Sequence, residues 1–260
     1  MSLYLATLKL GFAQALAYPT EIISTILLYI IRIIGLALLW NLVTQSSDQG
    51  LTMNEMLSYF LVTTAIGQIT MSQTSKLGKA IRHGVRDGSI NQVLIKPVSI
   101  VKYYYAYVTG TDGIKTIIVL IGFILGVILT PPSSIDNWIM FFLLLIPAFL
   151  LSIVVNLIEG GLSLVMTEVS GIKNAMLHAI RFLAGNLVPI ALFPEPFRSI
   201  VELSPFPVMI SGPASALNFP DPNFDFTKYL VVGMFWSILL LYLILRLWRW
   251  EIKKYEAIGI

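Results

Sequence analysis

Residues 22–43 read "IISTILLYIIRIIGLALLWNLV", and this stretch decides the fold. It is long enough to cross roughly 30 Å of hydrocarbon as a helix, and Arg32 is the one charge in it. A second run of the same kind, "YLVVGMFWSILLLYLILRLW", fills 229–248. The whole chain agrees with these two runs. Of its 260 residues, 57% are hydrophobic and only 12% are charged, about half the charge of a soluble domain. Mean hydropathy is +0.83. The composition is that of an all-α polytopic membrane protein.

Absent residues exclude some chemistry. There is no cysteine, which removes disulfides, thiol catalysis and zinc–thiolate sites. His83 and His178 are too few for a histidine-rich metal site, and no metal site is expected. No charged leader precedes a cleavage site, so the first spanning helix is expected to do the targeting.

Outward from 22–43, apolar runs and polar breaks predict six spans, at about 21–43, 55–73, 112–130, 138–166, 175–193 and 229–247. Residues 1–18 are apolar but interrupted by Thr7, Lys9 and Gln14, and Pro19 closes them. A helix lying in the interface is expected there, with an extra span as the alternative. The whole of 1–260 is read as one transmembrane domain.

Lysine and arginine set the orientation. The segments 44–54 and 131–137 have none, and 194–227 has Arg198 alone. The alternate segments hold Lys76, Lys79, Arg82, Arg86, Lys96 and Lys102, then Lys173, then Arg246, Arg249, Lys253 and Lys254. With six spans every strongly basic segment falls on one side. Both termini are therefore expected in the cytoplasm.

The basic block "KLGKAIRHGVRDGSINQVLIKP", 76–97, reads as a short amphipathic helix. Leu77, Ile81 and Val85 share one face, while Lys79, Arg82, His83 and Arg86 fall opposite. Asp87-Gly88 is a turn signal that stops it. Two partners suit this pattern: anionic membrane lipid headgroups, or a soluble protein that meets the polar face.

The six-span layout, "IRHGVRDGSINQVLIKPVS" at 81–99 and "GNLVPIALFPEPFRSIVELSPFPVMISGP" at 185–213 together resemble ABC-2 type permeases of ATP-binding-cassette exporters. The resemblance covers essentially the whole chain. It implies that the loop between spans two and three carries a coupling helix seated in an ATPase subunit. Lys79, Arg82, His83, Arg86 and Asp87 then become candidate ATPase contacts. It also implies two ATPase subunits per complex, which bind ATP and Mg, and a second permease chain, identical or related. The localisation implied is a bacterial inner (cytoplasmic) membrane.

The chain lacks a nucleotide site of its own. In "GTDGIKT", 110–116, Ile114 separates Gly113 from Lys115, so the phosphate-cradling loop is not formed. No cofactor and no enzymatic activity are expected in this chain, and no nucleic acid as partner.

Between spans five and six, Pro194, Pro196, Pro205 and Pro207 lie among apolar residues. An exposed loop would be more polar, so a re-entrant pair of short helices at the outer mouth is expected, shielded by the bundle. Charged and polar residues inside spans are costly and need partners. Arg32, Asn156, Glu159 and Arg181 are candidates for a substrate path, for fold-stabilising pairs such as Arg32–Glu159, or for subunit contacts. Asp112 and Lys115, three residues apart, predict a local ion pair.

Other classes fit less well. An ion-coupled secondary transporter would show repeated halves with broken helices, and no repeat is evident. "HAIRF" around His178 lacks the second histidine and the glutamate of an intramembrane metalloprotease. A non-transporting membrane scaffold remains open, as does the cargo.

Overall fold

The computed structural model describes residues 3–46, 52–96, 98–165, 170–217 and 224–251. Among them every regular element is helical. α1 (Leu3–Leu16) packs on α6 (Ile100–Thr111) where Gly11 meets Gly110. A Cβ on either glycine would run into the other helix's backbone, so the crossing depends on both. α2 (Pro19–Ser46) starts on a proline, whose missing N–H costs nothing in a first turn. Its apolar window is unburied by the chain itself, which leaves that face for lipid or another subunit, while Trp40 near its end enters the core against Phe60.

α3 (Met53–Gly67) begins with a reciprocal cap: Thr52 and Glu55 satisfy each other's backbone N–H. Ser58 through Gly67 are then buried without interruption. One flank meets α7 (Gly113–Leu129), whose Gly122 and Gly126 let Tyr29 and α3 come close. Ser58 Oγ donates to the Gly126 carbonyl at 2.7 Å there.

A π-helical turn, Gln68–Ser72, joins α3 to α4 (Gln73–Arg86) without a break. The expected span 55–73 therefore continues into the basic block as one helical shaft. Gly88, with φ +76°, then reverses the chain into α5 (Ile90–Leu94). Residues 100–111, expected as loop, form α6, which meets α7 at Asp112 with a 63° bend.

α8 (Ile135–Val165) is the longest helix and carries Pro147 inside it. α9 (Ser170–Leu183) corrects the expected helix over 175–193, because it ends ten residues early. Gly185 adopts φ +79°, and Ser211 donates its N–H to the Ala184 carbonyl. A 3₁₀ turn at Ile190–Leu192 follows, then α10 (Glu195–Glu202), α11 (Phe206–Met209) and α12 (Ser211–Leu217). α13 (Phe226–Glu251) completes the described chain.

By length and composition α2, α8 and α13 are long and apolar enough to cross a membrane, and the bent pair α6–α7 makes a fourth. α3 and α9, at 15 and 14 residues, lie where the other two spans are expected, and each is shorter than a helix that crosses by length alone. The main core lies among α3, α8, α11, α12 and α13. Met56, Leu144, Leu151, Met209, Ile210 and Leu217 are fully buried in it.

Candidate functional site

The polar block forms one wall of a cleft of about 630 Å³ roofed by α1 and floored by the α6–α7 bend. At about 100° per residue, Lys76, Lys79, Ala80, His83 and Asp87 fall on one stripe of α4, and all five line the cleft. Leu77, buried as the wheel predicts, packs with Val93 and Tyr104 in a small separate core. Tyr104 lies across Gly84, where any Cβ would meet its ring. Lys79 and His83 are exposed. The side chains of Arg82 and Arg86 lie outside the described residues.

Asp87 Oδ1 accepts the Ser89 N–H at 3.0 Å. That hydrogen bond holds its carboxyl below the usual range and fixes the turn between α4 and α5.

At the cleft floor the expected Asp112–Lys115 pair is not formed. Asp112 is fully buried at the α6–α7 bend and pairs instead with Lys76 of α4. Lys115 reaches Glu21 of α2 at 2.7 Å. Each carboxylate meets a lysine from a distant part of the chain, because the bend turns Asp112 toward α4. These pairings leave no local signature in sequence. Asp112 Oδ2 has no hydrogen-bond partner among the described residues.

Of the four candidate path residues, two are described at side-chain level. Arg32 is exposed on α2, and its Nη2 donates to Asn186 Oδ1 at 2.7 Å. Arg181, on the last turn of α9, is close enough for its like charge to act on Arg32. The side chains of Asn156 and Glu159 lie outside the described residues, so an Arg32–Glu159 pair does too. Asn186 was not a sequence candidate. It is buried just past the end of α9, where Tyr59 Oη also donates to the Gly185 carbonyl at 2.6 Å. Non-helical backbone here is shielded by α3 and α12, the condition on which such backbone sits inside a membrane protein.

The proline-rich segment divides. Pro194 and Pro196 lie exposed at the start of α10, while Pro205 and Pro207 are buried. Every residue of α12 is buried. Glu202 joins α10 to α13: Arg198 Nε donates to its Oε1 at 2.7 Å and Lys228 Nζ to its Oε2 at 2.6 Å. Burial pushes the Glu202 carboxyl up, but these hydrogen bonds and the two positive charges outweigh it and hold it below the ordinary value. Neither Glu202 nor Lys228 was a sequence candidate, being twenty-six residues apart across the loop.

The profile of a family described as ABC-2 family transporter protein matches residues 14–259. No curated protein matches the chain. The matched span runs from inside α1 past the end of α13 and so takes in the shaft, the cleft and the buried short helices together. This chain belongs to the ABC-2 transporter family, as an integral membrane permease of the ABC transporters.

Proposed function

We propose that the chain is the permease subunit of an ABC exporter. Two such chains, identical or related, form the substrate path between them, and two separate ATPase subunits that bind ATP and Mg drive it. The chain has six spans with both termini in the cytoplasm, in a bacterial inner membrane, and no catalysis of its own. The path draws on Arg32, Asn156, Glu159 and Arg181. The segment holding Pro194, Pro196, Pro205 and Pro207 closes the outer mouth.

One observation carries this reading: the helical shaft from α3 through the π turn to α4 links the buried core to the basic block without a loop. A push on α4 therefore has a stiff route to α3, and through Lys76–Asp112 to the α6–α7 bend. The apolar window of α2, unburied by the chain itself, supplies the face for the second permease, with Arg32 exposed beside it. At the end of the block α5 exposes Leu94 and Ile95, an apolar tip suited to an ATPase cleft.

Co-purification with the neighbouring cassette ATPase is the test. Arg82→Glu with Arg86→Glu is expected to abolish stimulated hydrolysis or assembly. Unchanged assembly and hydrolysis in that double variant would remove the reading's main support.

A further inference from the structure

We infer that the cleft between α1 and α4–α6 is a binding site for the phosphate headgroup of an anionic lipid from the leaflet that α1 lies in. This rests on the cytoplasmic placement of the block but needs no ATPase. It divides the block's basic residues between two partners.

The charge balance of the cleft comes first. Lys76 is taken by Asp112 and Lys115 by Glu21, while Asp87 keeps its negative charge at the rim, with Oδ1 accepting the Ser89 N–H. Lys79 and Lys96 line the same cleft, both exposed, with no carboxylate partner among the described residues. Lys96 Nζ lies 5.4 Å from the Tyr103 ring centre, which leaves its N–H groups free to donate. His83 adds a third donor at the rim. Two cationic side chains beside an imidazole form a hydrogen-bonding set for phosphate oxygens.

The surroundings favour a lipid over a soluble phosphate. Leu10, Leu16 and Tyr18 of the α1 end are 59%, 54% and 59% exposed, and α2 beyond them is unburied. Leu10, Ile22, Val93 and Ile114 give the cleft an apolar interior on that side. An amphiphile can place its phosphate on Lys79 and Lys96 and lay its chain along α1, where a soluble anion would leave that apolar lining wet. The Gly11–Gly110 crossing holds α1 close enough to roof the cleft.

Arg82 falls by register about 60° beyond Lys79 and off the cleft stripe, whereas Arg86, seven residues after Lys79, shares its flank. Arg82 and the cleft lysines can therefore be tested separately. The full chain, purified in neutral detergent, would be titrated with phosphatidylglycerol against phosphatidylcholine by native mass spectrometry. Phosphatidylglycerol is expected to bind preferentially, and Lys79→Gln with Lys96→Gln to weaken it by about fivefold for each lysine. Lys79→Arg with Lys96→Arg should restore the preference, while Arg82→Glu alone should keep it.

Three outcomes would overturn the assignment. One is equal retention of phosphatidylglycerol by the glutamine variant and the wild type. Another is equal displacement by glycerol phosphate, which would make this a soluble-anion site. The last is loss of co-purifying ATPase in the glutamine variant with lipid binding intact. Failure of ATPase coupling in the Arg82/Arg86 variant alone would bear on the proposed function and leave the lipid site standing.

Discussion

Two interruptions of the apolar bundle are treated in opposite ways. The basic block of α4 and α5 stands out from the bundle on a small core of Leu77, Val93 and Tyr104. The proline-rich segment of α11 and α12 is drawn into the centre, with Val208, Met209, Ile210 and Ala214 fully buried. Charge explains the first, because burying five cations would cost more than any packing returns. The second is irregular but apolar, and its backbone can be satisfied by neighbours such as Ala184. An outward segment is built to meet a partner, and an inward one to pack against its own chain.

Two left-handed glycines give the sharpest contrast. Gly185 has φ +79°, and a Cβ there would lie 2.8 Å from Ser211 Cβ and 2.9 Å from Tyr59 Oη. Gly88 has φ +76° and nothing within 4 Å. Gly185→Ala is expected to cost about 2–5 kcal/mol, the sum of backbone strain and overpacking. Gly88→Ala should cost about 1–2 kcal/mol from strain alone. Thermal unfolding in detergent checks both, and equal losses would break the contrast.

A smaller effect is expected at the cleft floor. Lys76→Ala leaves Asp112 buried and unpaired, with a cost of about 2–3 kcal/mol, below the full penalty because Lys76 is partly solvated. Adding Asp112→Asn should recover most of it, whereas Lys79→Ala should leave the unfolding temperature where it was. A Lys76→Ala protein as stable as the wild type would mean the pair does not brace the bend.

The smallest effect belongs to the opposite end. Glu202 has its folded pKa below its unfolded one, so its pairs with Arg198 and Lys228 stabilise fully above the unfolded value. That stability is lost as pH falls through the lowered folded value. In unfolding profiles from neutral to acid pH, wild type should lose about 1 kcal/mol that Glu202→Gln lacks from the start. Parallel profiles would assign no acid sensitivity to this carboxylate.

Much of this was legible in the chain. The apolar blocks, Pro19, the oily face at Leu77 and the exposure of Lys79 and His83 all follow from local pattern, which a helix expresses wherever it sits. Helix ends inside the membrane were less legible. Apolar residues continue past Leu183, and only the turn at Gly185, fixed by contacts to α3 and α12, ends α9 there. The bend at Asp112 was hidden for a related reason: its buried carboxylate is held by a lysine thirty-six positions away.

By itself the sequence determined that the chain is a helical membrane protein with one basic, outward-facing block, because hydropathy and charge are sums over local residues. Tertiary structure alone decided which charges meet: Lys76 with Asp112, Lys115 with Glu21, Arg32 with Asn186. A buried charge accepts whichever partner the packing of distant helices brings within reach, and that packing is a property of the whole bundle.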